Sequence, residues 1–505
     1  MNAACAQTGS SGDKKRFWWW AVLGLAVCAV AISNQSLWID EALTAGKAGQ
    51  ASLAGWWGMM KGDMGSDLQM PLYMIYVWGF AKVFGASEWA LRAANIPWFV
   101  TGLVAFIGAF PKERRIAAAV VAACCPFAWY YLNEARPYAM QIGASLMIFG
   151  AIYRLSQKEN ETGSCERFWV VIFFLGIISL CGSSMLGVIW AGAACLSLPM
   201  VFGWKRVGEL ARRHLLICLI SLGLLLVLGG YYVWTLKVGA RASEVGRTDL
   251  KNVGFVGYEL LGFGGLGPGR LVIRDGGIGA FLPFAKEMVL FSVVVLDLVV
   301  LAGWSLFHRV PRKTLVGLIA VTGMPIVVLF GAGYAMHFRV LGRHFTPLLT
   351  VVLFVLAIGL SARWKRSHWA SKPMVIGFLG LSLASCFLLR LAERHQKDDY
   401  RAAAAFANTA LNAGQVVWWN AGKEGAAYYR LPIADGREEK GRAVWLVNPA
   451  PEILGSLQMP EIIISSKPDV YDNGGVLGEY ISQGKYFKLG SFAAFTIWQR
   501  KSDVL

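Results

Sequence analysis

Charge is scarce in this sequence. Asp, Glu, Lys and Arg make up 16% of its 505 residues, where a soluble protein carries about 25%. Cysteine is nearly confined to apolar stretches (Cys28, Cys124, Cys125, Cys181, Cys195, Cys218, Cys386), and the polar C-terminal part has none. That distribution excludes a disulfide framework and a C-x-x-C metal site. No Rossmann fingerprint is present. The glycine-rich run Gly262-Phe-Gly-Gly-Leu-Gly-Pro-Gly269 is not followed by Gly-Lys-Ser/Thr, so it is no nucleotide phosphate loop.

What is present is apolar and gathered into blocks. Hydrophobic residues make up 56% of the chain, the mark of a membrane protein. Lys and Arg outnumber Asp and Glu by 48 to 31, a formal net charge of +17. In a soluble protein that excess would suggest nucleic acid. Here the cations cluster in short loops between apolar blocks, where they set orientation. Nucleic acid is therefore excluded as a partner, and lipid phosphate is the better anion.

The blocks fall near 17–33, 93–110, 116–132, 137–155, 168–183, 185–203, 214–236, 285–307, 314–336, 345–362 and 372–391. Each approaches the ~20 residues that cross a bilayer, which predicts about eleven transmembrane helices. Residues 1–16 end in Lys14-Lys15-Arg16 and read as a cytoplasmic N-terminus. Later cation clusters (Lys112, Arg114 and Arg115; Lys205 to Arg213; Arg363 to Arg366) fit the same side. Residues 34–92, 133–136, 237–284, 337–344 and 392–505 then lie outside. The apolar run 71–86 would invert every later loop if it crossed, so it reads as a re-entrant or interfacial helix. From Lys397 an Ala-rich helix leads into strand-like runs at 415–420, 443–448, 461–465 and 494–499. These predict a small α/β domain over 392–505, outside the membrane.

Ionisable residues gather in the external segments. Asp40 and Glu41 stand just beyond the first span, ahead of a helix expected over 41–60. As helix caps they would favour its N-terminus; as catalytic groups they would sit where a lipid-linked substrate presents its headgroup. Asp63 and Asp67 precede the 71–86 helix. Asn133-Glu134-Ala-Arg136-Pro137-Tyr138 joins two spans, with Pro137 suited to a first helical turn. His337, Arg339, Arg343 and His344 share one outer loop. Lys237, Arg241, Arg247, Lys251, Arg270 and Arg274 share another. Cations held outside oppose the positive-inside trend, and an anionic phosphate supplies the reason. Asp297 lies in the middle of VVVLDLVVLAG, where a carboxylate is costly and is functional or paired.

At these residues the chain resembles the polyprenyl-phosphate-dependent glycosyltransferases of the GT-C fold, nearest the bacterial relatives of protein O-mannosyltransferases and of lipid A aminoarabinose transferase. Asp40-Glu41 matches the acidic pair of that family's first external loop. Asp67 stands before Pro71-Leu-Tyr73 as an acid precedes Pro-Pro-Leu-Tyr in the relatives. Phe84-Gly-Ala-Ser-Glu88-Trp-Ala-Leu-Arg92 and Asn133 to Tyr138 match further segments, and Arg343-His344 stands for a late Arg-Tyr pair. The match runs from the first span to about residue 155, with weaker echoes near 343 and 398. Gln69-Met70 and Cys181-Gly-Ser-Ser184 depart from the pattern.

The resemblance implies an all-α polytopic membrane protein, GT-C-like, with a small C-terminal α/β extracytoplasmic domain, in the cytoplasmic membrane. The core would span 17–391, with its catalytic loop at 34–92. It implies transfer of a sugar from a polyprenyl-phosphate donor to an acceptor hydroxyl on protein, lipid or glycan, with inversion. Asp40 would be the general base, with Glu41 and Asp67 beside it. Arg343, His344, Arg136 and Arg241 would bind the donor phosphate, supported by Glu134, Tyr138, Glu88 and Arg92. Divalent metal use stays open, with Asp40, Glu41 and Asp67 as the oxygen ligands. A membrane polysaccharide polymerase or ligase and a flippase of lipid-linked sugars are the rival readings.

Overall fold

The computed structural model describes residues 11–63, 65–157, 163–238, 248–309, 312–337, 339–365, 369 and 371–501. Each apolar block carries a helix. The first is α1 (Ser11–Ala31), and the external segment after it holds α2 (Ile39–Ala48), α3 (Leu53–Asp63), α4 (Pro71–Phe84) and α5 (Glu88–Ala93). Then come α6 (Ile96–Ala109), α7 (Lys112–Ala123), α8 (Pro126–Leu132), α9 (Tyr138–Gln157), α10 (Ser164–Ser183) and α11 (Gly187–Phe202). α12 (Trp204–Arg213) and α13 (Leu215–Lys237) follow, with α14 (Leu250–Leu260) and α15 (Arg270–Gly276) in the next external segment. The bundle closes with α16 (Ala285–Arg309), α17 (Arg312–Ala335), α18 (Leu349–Trp364) and α19 (Ser371–Leu391).

Among the described residues seven helices are long and apolar enough to cross a membrane, or nine if each of two bent pairs is one span. The protein is a multi-pass membrane protein. The expected eleven blocks all form helices, but the apolar part of α1, Phe17–Ala31, is shorter than that measure. α4 has 14 residues, about 21 Å at 1.5 Å per residue, short of the ~30 Å hydrocarbon core. It packs Tyr73, Met74 and Val77 into a cluster with Trp56, Met60 and Leu91 instead. The helix expected over 41–60 is two helices, broken at Gly49–Ser52.

Small residues let the spans approach closely, because lipid offers no hydrophobic drive for helix pairing. α6 crosses α9 at Gly102 and Gly143, where a Cβ on Gly143 would sit 2.2 Å from the Trp98 carbonyl oxygen. Gly359 of α18 meets the Leu298 carbonyl of α16 in the same way. One residue along, Asp297 finds its partner: Arg363 Nη2 lies 3.0 Å from its Oδ1. The intramembrane carboxylate is thus paired within the bundle.

Beyond the spans, six strands form one sheet: β1 (Val417–Asn420), β2 (Ile433–Asp435), β3 (Ala443–Trp445), β4 (Ile462–Ser466), β5 (Tyr486–Phe492) and β6 (Phe495–Arg500). The order is β2-β3-β1-β4-β6-β5. β1 pairs parallel with β3 and β4, while β6 runs antiparallel to β4 and β5. Trp418 and Trp419 on the central β1 are both fully buried, one on each face. The Ala-rich α20 (Tyr400–Asn412) covers the Trp419 face, capped by the Asp399 carboxylate, which accepts the Ala402 N–H at 3.0 Å.

Candidate active site around Asp40

α2 presents two adjacent carboxylates, and adjacent helical side chains diverge by about 100°. Glu41 turns inward. It is fully buried and takes a two-pronged grip from Arg92, with Nε 2.9 Å from Oε1 and Nη2 2.8 Å from Oε2. The Ala135 N–H donates to Oε1 at 2.8 Å and Lys397 Nζ to Oε2 at 2.9 Å. The Trp38 N–H reaches Oε2 at 3.4 Å, so the capping role belongs to Glu41. Burial would raise the Glu41 carboxyl, but Arg92 and Lys397 pull it down, to about 2. Burial pushes the Lys397 ammonium the other way, down to about 8, against the pull of Glu41. In this structure Glu41 anchors α2 to Arg92 and Lys397.

Asp40 turns outward. Its carboxylate is 26% exposed, and its Oδ2 accepts a hydrogen bond from Arg343 Nη1 at 3.2 Å. The two residues stand 303 positions apart. A 3-10 turn at Gly342–Leu348 delivers Arg343, ahead of α18.

Asp67 lies beneath this pair, also buried. Lys47 Nζ is 2.7 Å from its Oδ2 and Arg136 Nη1 is 2.8 Å from its Oδ1. Burial would raise this carboxyl, and the two cations hold it below its ordinary value. Arg136 Nη1 also donates to Thr44 Oγ1 at 3.1 Å and to the Asp40 carbonyl at 3.3 Å. Asp67 and Arg136 thus brace α2 from below. Asp67, expected beside the base, and Arg136, expected at the donor phosphate, are thus buried against each other.

The other expected residues divide. Glu134 is buried with its Oε1 unpaired, and burial pushes its carboxyl up. Tyr138 packs edge-on against Tyr131 at 4.8 Å and lies close enough to Arg343 to act on its charge. Arg92, beyond Glu41, donates to the carbonyls of Ser33, Gln35 and Ser36 and so fixes the chain entering α2. Glu88 faces the sheet domain, with Arg401 Nη2 at 2.6 Å and the Tyr429 hydroxyl at 3.1 Å. His344 Nδ1 accepts the Leu341 N–H at 3.1 Å, which engages that nitrogen in its own turn. Arg241 lies outside the described residues.

Three contributors have little local signal. Arg270 appears in the sequence as one cation among six in its loop. In the fold its guanidinium stacks 4.1 Å over Tyr130, donates to the Tyr131 hydroxyl at 3.2 Å and to Glu259 at 2.6 Å, and acts on Arg343. Lys47 and Lys397 reach Asp67 and Glu41 from 20 and 356 positions away. Only tertiary folding reveals them. The carboxylates considered as metal ligands do not converge: each faces an Arg or Lys, and among the described residues no group of three His, Cys, Asp or Glu could hold a metal. The donor set does not fit a divalent ion.

No family model matches this sequence, and no curated protein matches it. Solved structures do. The chain is similar to ArnT from Cupriavidus metallidurans in the apo state, with a TM-score of 0.56 and 12% identity over 97% of this chain and 98% of that one. It is also similar to ArnT from the same organism bound to undecaprenyl phosphate, with a TM-score of 0.50 and 12% identity over 98% and 99%. The fold is the one expected from the sequence, an all-α GT-C membrane bundle with a small C-terminal sheet domain.

Proposed function

We propose that this GT-C chain is a membrane glycosyltransferase that moves a sugar from a polyprenyl-phosphate donor to an acceptor hydroxyl, with Asp40 as general base. The observation that carries the reading is the Asp40–Arg343 contact: a partly exposed carboxylate beside a partly exposed guanidinium, both on a rigid buried frame. A similarly folded structure with undecaprenyl phosphate bound supports a lipid-phosphate donor.

In this reading the donor phosphate competes with Asp40 for Arg343 and frees the carboxylate. Asp40 takes the proton from the acceptor hydroxyl as that oxygen attacks the anomeric carbon. The bond from that carbon to the phosphate oxygen breaks on the opposite face, giving inversion. The departing polyprenyl phosphate gains negative charge, which Arg343 and Arg270 stabilise. Glu41, Arg92, Asp67, Arg136 and Lys47 touch no reacting atom; they hold α2 so that Asp40 stays in place. Arg241 belongs to the proposed donor site by its place in the sequence.

Residues 1–16 would be cytoplasmic, 17–391 the transferase core with its loop 34–92, and 392–505 an external domain. A flippase would use ionisable groups at midplane. Asp297, the residue suited to that role, is bound to Arg363 instead. The test is to incubate the full chain in vesicles with polyprenyl-phosphate-linked sugar and a hydroxyl acceptor. Release of polyprenyl phosphate with an inverted glycoside is expected. Transbilayer movement of the donor without its cleavage would reject the proposal.

A further inference from the structure

The end of the bundle that carries Asp40 has a second cleft, which the reaction above does not use. It lies where the ends of α1, α8 and α19 meet. Gln35, Trp129, Asn133, Arg390, His395 and Lys397 line it. The Trp129 ring sits 5.6 Å from Phe387, which closes the α8–α19 seam beneath.

The charges around the cleft do not balance. Lys397 is committed to Glu41 and to the Asn133 carbonyl. Arg390, in the last turn of α19, is half-buried and has no ion pair among the described residues. The charged neighbour that acts on it is Arg92, of the same sign. His395 faces the Gly265 carbonyl through Nε2 at 3.1 Å; that oxygen only accepts, so the ring donates there and supplies no acceptor to Arg390 from that atom. Glu134, which follows the lining residue Asn133, acts on Lys397 and Arg270, and no acid is among the groups that act on Arg390. A half-buried guanidinium at a membrane boundary without a counter-ion is costly. Its planar fork matches two oxygens of a phosphate.

The walls indicate where that phosphate comes from. Ala31, Trp129, Cys386 and Leu389 make one side apolar. Only 28% of the α19 window is buried inside the protein, so this helix meets the bilayer. We propose that this cleft binds the phosphate headgroup of a membrane lipid, with Arg390 as its counter-ion and the Gln35 and Asn133 amides beside it. The cleft shares Tyr130, Leu389 and His395 with the pocket that holds Arg270, and the proposal does not depend on the transferase reading.

The test measures binding of phosphatidylglycerol, of uncharged diacylglycerol and of inorganic phosphate to the detergent-purified full chain and to Arg390→Gln. The wild type is expected to bind phosphatidylglycerol saturably, with Arg390→Gln weaker by about tenfold and Arg390→Lys between them. Diacylglycerol should bind both proteins alike and weakly. An unchanged melting temperature for Arg390→Gln separates lost binding from lost fold. Equal phosphatidylglycerol binding by wild type and Arg390→Gln would overturn the proposal. So would inorganic phosphate binding as tightly as the lipid, which would make this a free-anion site. A loss equal to that of Arg390→Gln in Arg343→Ala, with polyprenyl phosphate displacing phosphatidylglycerol, would merge the cleft with the donor site and also overturn it.

Discussion

Arg92 and Glu41 face each other with no exposed surface on either side chain, joined by two hydrogen bonds of 2.9 and 2.8 Å. Breaking a buried pair leaves an uncompensated charge and costs about 3–5 kcal/mol. Arg92→Ala is expected to destabilise the protein by about that much, and Arg92→Lys, which cannot reproduce the two-pronged grip, to rescue it poorly. Thermal unfolding of the purified variants checks this. An Arg92→Ala protein with a wild-type melting temperature would show that the pair does not hold α2.

The same carboxyl sets an acid limit. Its folded value, about 2, lies below its ordinary value of 4.5. A depressed carboxyl contributes stability that is complete above the unfolded value and is lost as pH falls through the folded one. Stability should therefore decline from about pH 4.5 toward about 2. Glu41→Gln should start less stable and decline less over that window. Parallel pH curves for the two proteins would exclude Glu41 as the source.

At the α6–α9 crossing, Gly143→Val would press a side chain against the Trp98 carbonyl, where a Cβ already sits at 2.2 Å. Backbone cannot yield as a flexible side chain can, so a cost above the usual ~1–3 kcal/mol of overpacking is expected. Loss of folded protein in detergent would register it. Gly254→Ala, at a helical glycine with nothing within 4 Å of a Cβ, is the control and should be neutral or stabilising.

Much of this architecture is legible in the sequence because its signals are local. Apolar runs mark the helices, and Asp40-Glu41 stands out because two acids adjoin a membrane span. The run 415–420 reads as a strand because Val416, Val417, Trp418 and Trp419 are apolar and β-favouring. Other features have no local signal. β2 has three residues and β5 alternates weakly, with most of its side chains exposed, so neither edge strand shows a buried face. The break between α2 and α3 rests on Gly49 and Ser52, ordinary residues in an otherwise helical run. The division of labour within the acidic pair depends on cations from residues 92, 343 and 397, which only folding brings to α2.

Arg343 is expected to serve the donor and not the fold, since it is 29% exposed and its partner is a surface carboxylate. Arg343→Ala should lower transfer by about 10²–10³-fold, as for loss of one charge-stabilising donor, with stability changed by less than about 1 kcal/mol. Steady-state rates against donor concentration check it. Unchanged dependence on donor would remove Arg343 from the phosphate site.

The central claim is that residue 40 accepts the acceptor's proton. The direct measurement is single-turnover transfer by Asp40→Asn, together with its affinity for polyprenyl phosphate. A neutral amide cannot take the proton, so the rate should fall by about 10²–10⁴-fold. Lipid-phosphate affinity should hold or rise, because Arg343 loses its competing carboxylate. Transfer at the wild-type rate by a folded Asp40→Asn protein would contradict the account.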